Sequence, residues 1–423
     1  MKLQIRNIGK IKEADVLING ITVIAGENNT GKSTIGKALY AIFNAFAGVE
    51  EKVHAERIES ILKALYILIQ ELSKAGDVDE NRDGVQLAKE IGDLRLRAGF
   101  TKAKLQQYLE GALGTKSVDD TKYAVHLNNI MRILRVSDDN YLKVLTQQNF
   151  ADEFNQQINN TLENAIGEVT LTIKDKISSV SFSDNSVVNV DKTIDIFSEA
   201  IYLDDPFIID AFPRRPMFGS IWGVKHFYGH KDKLASLIYS QYNNNNLIDK
   251  IVIGERIDRV IKKLHEACAG QVFFKDSTNL MYRQENTGAA FRIGNLSTGL
   301  KSFVILQILL LSGEIKDGSL LIFDEPEIHL HPEWQLLFAE LIVMLQKEFN
   351  LHILLNTHSP YFLNAIDVYA QRHKVIDKCE YYLSYNKDDE SYVKKVTDNI
   401  DLIYSKLARP MQLLENLRYT VDE

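Results

Sequence analysis

Cysteine is scarce: Cys268 and Cys379 are the only two in 423 residues. Two cysteines cannot build a disulfide framework and here have no metal-ligand spacing, so a reducing cytoplasm is the expected compartment. Long apolar runs are also missing. The longest aliphatic stretch, F-V-I-L-Q-I-L-L-L at 303–311, is too short to span a bilayer and carries a glutamine. The opening M-K-L-Q-I-R-N-I-G-K lacks the apolar core of a signal peptide, so no membrane anchor is expected. Positive charge is not in excess, with 49 Lys and Arg against 57 Asp and Glu for a net charge of −8. That balance argues against a uniformly basic nucleic-acid coat, though not against a local basic groove completed by a partner. Internal repeats, low-complexity tails and sustained heptads are absent too. What remains is an ordinary folded composition, 45% hydrophobic and 25% charged, long enough for two or three domains or one large elaborated one.

The first 25 residues read as three strands, K-L-Q-I-R-N-I, A-D-V-L-I and I-T-V-I-A, with Asn19-Gly20 as a hairpin-turn pair before the third. A helix follows over roughly 36–46. From about 50 to 165 Leu, Ala, Glu, Lys and Gln dominate with helical periodicity, broken near A-G-D-V-D-E-N-R-D-G and G-T-K-S-V-D-D. A compact helical insertion is expected there. Strand character returns in E-V-T-L-T-I-K, in 178–190 and in A-I-Y-L-D-D-P; residues 231–268 read as mostly helical. F-F-K-D-S-T-N-L-M-Y-R and A-F-R-I resume the strand pattern, and C-E-Y-Y-L-S-Y against S-Y-V-K-K-V closes as a hairpin before two short helices. The expected organisation is one α/β head, 1–49 and 166–423, interrupted by the insertion at 50–165.

Four motifs carry chemistry. Residues 26–34, G-E-N-N-T-G-K-S-T, follow an apolar strand and open a helix, and Gly26 to Ser33 fits G-x-x-x-x-G-K-[ST]. Gly26, Glu27, Asn28, Asn29, Thr30, Gly31, Lys32, Ser33 and Thr34 are the candidate nucleotide-binding residues. Backbone N–H groups and the helix N-terminus would cradle phosphate, Lys32 would bridge the outer phosphates, and Ser33 could ligate Mg²⁺. The second motif, S-L-L-I-F-D-E-P-E-I-H-L-H-P at 319–332, is a buried strand delivering two acids. Asp324 would hold the Mg²⁺ shell and Glu325 would act as general base on the attacking water. The third, F-R-I-G-N-L-S-T-G-L-K-S-F at 291–303, places Ser297, Thr298 and Gly299 where a helix start could meet an anion; the same residues also make a plain helix cap. The fourth, H-I-L-L-N-T-H-S-P at 352–360, puts His358 at a strand end, where it could contact a γ-phosphate or serve structure alone.

In this order the motifs resemble the ABC-type ATPase heads of the SMC and OLD families, and G-E-N-N-T-G-K-S-T with D-E-P-E-I-H-L-H-P looks most like the OLD-type heads of bacterial phage-defence systems. The resemblance implies an ABC-type P-loop NTPase head with a mixed sheet and helices, using ATP and Mg²⁺. It also implies head-to-tail dimers in which Ser297, Thr298 and Gly299 touch the partner's ATP, His358 is the switch histidine, and His329 and His331 lie along the interface. An H-x-H metal pair is the competing reading of those two histidines. Thr298 and Leu300 replace the Gly and Gln of L-S-G-G-Q, as in the looser SMC/OLD loops, and no Q-loop glutamine can be placed. Only about 60 residues follow His358, too few for the Toprim nuclease domain of OLD proteins.

The function implied is therefore a cytoplasmic ATPase that regulates a separately encoded effector, such as an HNH or Toprim nuclease or a toxin. Septu-like and PARIS-like systems are organised in this way, with a phage protein as a trigger and nucleic acid reached through the complex. The 50–165 helices would serve oligomerisation, partner docking or head stabilisation. The alternative is an SMC-like DNA repair or chromosome clamp, which a basic stripe or long coiled coils would favour. A transporter ATPase, a small-molecule kinase and an intrinsic nuclease using Asp204 and Asp205 fit less of the motif set.

Overall fold

A computed structural model describes residues 1–74, 84–94, 100–114, 124–162, 165–210, 229–240, 247–275 and 279–420. The chain divides into two compact units, the first built from residues 1–47, 146–216 and 227–423 and the second mainly from Gly48–Leu145. The breaks expected near 75–83 and 115–120 lie outside the described residues. Residues 146–165, expected within the insertion, group with the first unit. Asn159 explains much of this: its Nδ2 donates to the Phe182 carbonyl at 3.1 Å, and the Asn185 side chain accepts from its N–H at 2.9 Å.

The first unit is organised on an eleven-stranded sheet. Its strands are β1 (Lys2–Ile8), β2 (Ile11–Leu17), β3 (Ile21–Gly26), β4 (Gly167–Ile173), β5 (Lys176–Ser183), β6 (Ser186–Asp191) and β7 (Ile201–Leu203). A separate three-stranded sheet holds β8 (Gly270–Phe274), β9 (Leu280–Gln284) and β10 (Ala290–Arg292). The large sheet is completed by β11 (Leu320–Asp324), β12 (His352–Thr357), β13 (Cys379–Lys387) and β14 (Glu390–Lys395), in the order β6-β5-β4-β1-β2-β14-β13-β3-β12-β11-β7. The run from β13 to β7 is all parallel, so its carboxyl ends share one edge, the usual place for a ligand in an open α/β sheet. Those inner strands are rich in apolar residues, as two-faced burial favours: Ile21, Val23, Leu321, Phe323, Ile353 and Leu355 are fully buried.

One expectation is corrected here. β2 and β3 are not a hairpin across Asn19-Gly20; the β13–β14 hairpin stands between them, with β14 parallel to β2 and β13 parallel to β3. Gly20 still turns the chain at φ +60°, but the Thr22 hydroxyl bonds back to the Leu17 carbonyl and the Leu17 N–H donates to the Tyr382 hydroxyl. The true hairpin closes at Asp388-Asp389, both at positive φ as a tight two-residue turn requires.

Helix α1 (Lys32–Phe46) leaves β3 through Gly31, whose φ of +82° and close approach to Ile11 demand glycine. The second unit packs α2 (Val49–Lys74), α3 (Gly84–Leu94), α4 (Lys102–Leu113) and α5 (Ala124–Arg135) around a core that includes Ile61, Leu65, Leu68 and Leu72, spaced at helical period. α6 (Asp138–Glu153), α7 (His230–Ser240) and α8 (Leu247–Leu264) follow, then α9 (Thr298–Leu311), α10 (Pro332–Phe349), α11 (Pro360–Arg372), α12 (Asp401–Leu407) and α13 (Arg409–Thr420). The apolar run 303–311 is the body of α9, buried from Phe303 to Leu310 with Gln307 satisfied by the Gly270 carbonyl at 2.9 Å. Among the described residues no helix is long and apolar enough to cross a membrane.

Behind β7 lies a buried charge cluster. His230 Nδ1 bonds Glu153 at 2.7 Å, Nε2 stands 3.0 Å from Asp204, and the imidazole stacks on Tyr202 at 4.4 Å. Burial opposes the His230 charge, but its bonds to Asp204 and Glu153 outweigh that and push its pKa up to about 9. A folded pKa above the unfolded value near 6.5 means that the stabilisation is full below pH 6.5 and is lost as pH rises through 9. The expected result is a stability gap between wild type and His230→Gln, on the order of 3 kcal/mol near pH 6, that closes by pH 9.5. Urea unfolding at both pH values checks it; a gap independent of pH would refute the assignment.

Candidate functional site

The phosphate loop leaves the carboxyl end of β3 and is fixed at both flanks. The Lys32 ammonium, 4% exposed, donates to the Gly26 and Glu27 carbonyls at 3.0 and 2.8 Å, and the Thr30 hydroxyl donates to the Glu27 carbonyl at 2.8 Å. From β13 the Ser384 hydroxyl donates to the Thr30 carbonyl at 2.5 Å, and Asn386 reaches the Asn29 carbonyl at 3.2 Å, as does Lys10. Gly26 is required by that wall: a Cβ there would meet the Ser384 carbonyl at 2.3 Å. Glu27, Asn28 and Asn29 are exposed, and Ser33 and Thr34 begin α1, where its free N–H groups lie.

Three neighbouring strand ends converge on this loop. Asp324 ends β11 beside Asn356 of β12, which in turn pairs with Ile24 of β3. Both Asp324 oxygens are held: Oδ2 accepts from the buried Tyr202 hydroxyl and Oδ1 from Asn356 Nδ2, each at 2.9 Å. Asn356 also donates to the Lys32 carbonyl at 3.1 Å, tying the acid to the loop. Burial, with the Asp324 charge beside it, raises the Tyr202 pKa, so the hydroxyl remains a donor. Glu325, one residue on, adopts φ +51° and gives its N–H to the Asn356 carbonyl at 2.9 Å. Its carboxylate stands 3.6 Å from Lys32 Nζ and 3.3 Å from His358 Nδ1.

Lys32, Asp324, Glu325 and His358 thus meet in one place. The donor set suits Mg²⁺, a hard ion that takes one or two protein oxygens plus phosphate and water; Asp324 and Ser33 are the residues available to it. Ser297, Thr298 and Gly299 do not join them. Ser297 caps α9 by accepting the Leu300 N–H at 3.4 Å, and Gly299 is buried against the His329 carbonyl and the Trp334 ring. Among the described residues no hydrogen bond or ion pair joins this loop to the phosphate loop.

The other candidates resolve structurally. His329 meets the Phe207 ring edge-on at 5.6 Å and His331 precedes α10, with Pro332 in its first turn; no metal-holding group of His, Cys, Asp or Glu occurs among the described residues. Asp204 is committed to His230 and Lys231, and Asp205 caps the turn at Phe207. Sequence reasoning missed Tyr202, Asn356 and Glu327. Asn356 and Thr357 are polar residues inside an apolar strand and Glu327 is a further acid after Glu325, both usable signals; Tyr202 gives none.

Comparison with known proteins agrees with this geometry. The chain belongs to the AAA ATPase domain family, whose model matches residues 1–363. It is accordingly an ATP-hydrolysing enzyme with the architecture of an ABC-type P-loop head, a fold that uses ATP with Mg²⁺. A curated relative, "Retron Vc95 probable ATPase" of Vibrio cholerae serotype O1 biovar El Tor, is 25% identical over 169 residues, 36% of this chain and 32% of that protein. The matched region therefore spans about a third of that relative's length. The SMC head domain from Thermotoga maritima is 12% identical with a TM-score of 0.37, over 93% of this chain and 98% of that one. An SmcHead bound to the C-winged helix domain of ScpA is 12% identical with a TM-score of 0.45, over 95% and 98%. Likenesses this distant bear no further argument.

Proposed function

We propose that this ATPase is the nucleotide-driven switch of a two-component anti-phage defence system, closing head to tail around two Mg·ATP and thereby controlling a separately encoded nuclease or toxin. The observation that carries this reading is the split of the site. Glu325 lies within ion-pair reach of Lys32 and His358 and Asp324 is tied to the Lys32 carbonyl through Asn356, whereas among the described residues Ser297–Gly299 bond nothing in the phosphate loop of their own chain. A second copy would supply the missing loop, with Ser297 and the first N–H groups of α9 offered to its phosphate.

In this reading Lys32 and the loop N–H groups hold the phosphates, and Asp324 and Ser33 would hold Mg²⁺, which would supply charge compensation for the phosphate oxygens. Glu325 takes the proton of the attacking water, and His358 senses the terminal phosphate. Glu325 lies between Lys32 and His358. Defence is favoured by the partial likeness to a retron ATPase. Septu-like or PARIS-like pairing, with an HNH or Toprim nuclease, is the organisation in view, in the cytoplasm and with a phage protein as a trigger. The second unit would carry oligomerisation or docking.

The test is to purify tagged Glu325→Gln from its native host with Mg·ATP and to identify associated proteins by mass spectrometry, with nuclease-treated controls. A stoichiometric nuclease or toxin is expected. Recovery of DNA with repair or segregation factors, and no effector, would overturn the reading in favour of a DNA clamp.

A further inference from the structure

Two residues beyond Glu325 the chain buries another acid. Glu327 is 2% exposed, and nothing in the hydrolytic roles above uses it. Its Oε1 accepts from the Thr357 hydroxyl and, at 3.3 Å, from the His358 N–H, and lies 3.9 Å from His358 Nδ1. The other oxygen, Oε2, has no hydrogen-bond partner. Its backbone carbonyl accepts from the Leu330 N–H at 3.1 Å and from Gln335 Nε2 at 3.3 Å, so the same residue also anchors the turn into α10.

A buried carboxyl with an unpaired oxygen is costly, and a Leu or Met would fill the space at less expense. What an apolar residue cannot supply is an acceptor that grips the end of β12 from the turn after β11. Those two segments carry His358 and Glu325, and the Glu325 N–H also bonds the Asn356 carbonyl across them at 2.9 Å. Thr357 in turn accepts the Ser359 N–H at 3.0 Å, and Ser359 caps α11, so the brace reaches from α10 to α11. We propose that Glu327 is a positioning residue of ATP hydrolysis: by gripping Thr357 and the His358 backbone it fixes the distance between His358 and Glu325.

The inference rests on the roles proposed for Glu325 and His358. It requires an acceptor oxygen rather than a charge; burial pushes the Glu327 carboxyl up towards its neutral form, although the Thr357 hydroxyl opposes this. Glutamine should therefore stand in for it. Displacement of a reacting group by about 1 Å can cost up to a hundredfold, so Glu327→Ala is expected to lower kcat roughly tenfold to a hundredfold with KM for ATP within about twofold. Glu327→Gln should stay within about threefold of wild type, and Thr357→Val, which removes the hydroxyl from the other side at equal volume, should reproduce part of the loss in kcat. Steady-state kinetics of the full chain, with thermal melts of each variant, measure this. Wild-type kcat in Glu327→Ala overturns the proposal, as does a Gln variant as impaired as Ala, or a loss in which KM and melting temperature move with kcat. Should Glu327→Ala fail to fold, Thr357→Val decides: an unchanged kcat there refutes the brace. Continued turnover by Glu325→Gln would instead refute the underlying roles, a separate outcome.

Discussion

Glu325→Gln should still bind ATP yet hydrolyse it about 10²- to 10⁴-fold more slowly, the range over which a positioned base accelerates proton transfer. The substitution keeps the side chain's size and its reach towards Lys32 and His358, 3.6 and 3.3 Å from the wild-type carboxylate. It removes the negative charge that stands 3.6 Å from the Lys32 ammonium. ATP affinity should consequently be equal to wild type or tighter, and the closed dimer should persist on size exclusion with Mg·ATP. The φ of +51° at this position penalises Gln much as it does Glu, so the folded state is not selectively strained. Single-turnover hydrolysis with parallel nucleotide-binding measurements separates the two effects. Unchanged turnover would remove Glu325 as the base.

Lys32→Ala should weaken ATP binding by roughly tenfold to a hundredfold, the worth of one charge-assisted hydrogen bond to phosphate, and should abolish nucleotide-dependent assembly. Part of the loss comes from the loop itself. The Lys32 ammonium satisfies the Gly26 and Glu27 carbonyls, and its removal leaves both without that donor. The variant should therefore also show a lower melting temperature in the absence of nucleotide, which a merely electrostatic contact with phosphate would not produce. Isothermal titration and light scattering check the first effect, and thermal melts the second. Assembly that survives without nucleotide would show that the heads associate through other surfaces, such as the second unit.

Much of this site was legible in the sequence because its parts are local. A phosphate loop needs glycines, a lysine and a hydroxyl within nine residues, and an apolar strand ending in Asp324-Glu325 announces its own burial. The parallel sheet could be anticipated from the same apolar runs. What could not be read were the pairings between distant segments. Nothing near Gly20 reveals that β13 and β14 intrude between β2 and β3, because a glycine at positive φ serves either connection equally well. Tyr202 was invisible for a related reason: in I-Y-L it reads as one more strand residue, and only the parallel pairing of β7 with β11 brings its hydroxyl to Asp324. The close of the insertion could not be read because helix α6 runs on past Leu145 to Glu153, while the bonds around Asn159 and Asn185 that tie the following residues to the sheet depend on partners further along the chain.

The wall that β13 builds against Gly26, Asn29 and Thr30 has a consequence for synthesis. More than three hundred and fifty residues separate Thr30 from Ser384, so the phosphate loop is translated early and braced last. While the ribosome has yet to deliver residues 379–387, β3 lacks one of its two flanking strands and the loop lacks the Ser384 and Asn386 contacts. The loop is therefore fully braced only once residues 379–387 have emerged. A product cut short before that hairpin would carry the whole G-E-N-N-T-G-K-S-T motif and still lack the support that Ser384 and Asn386 give it.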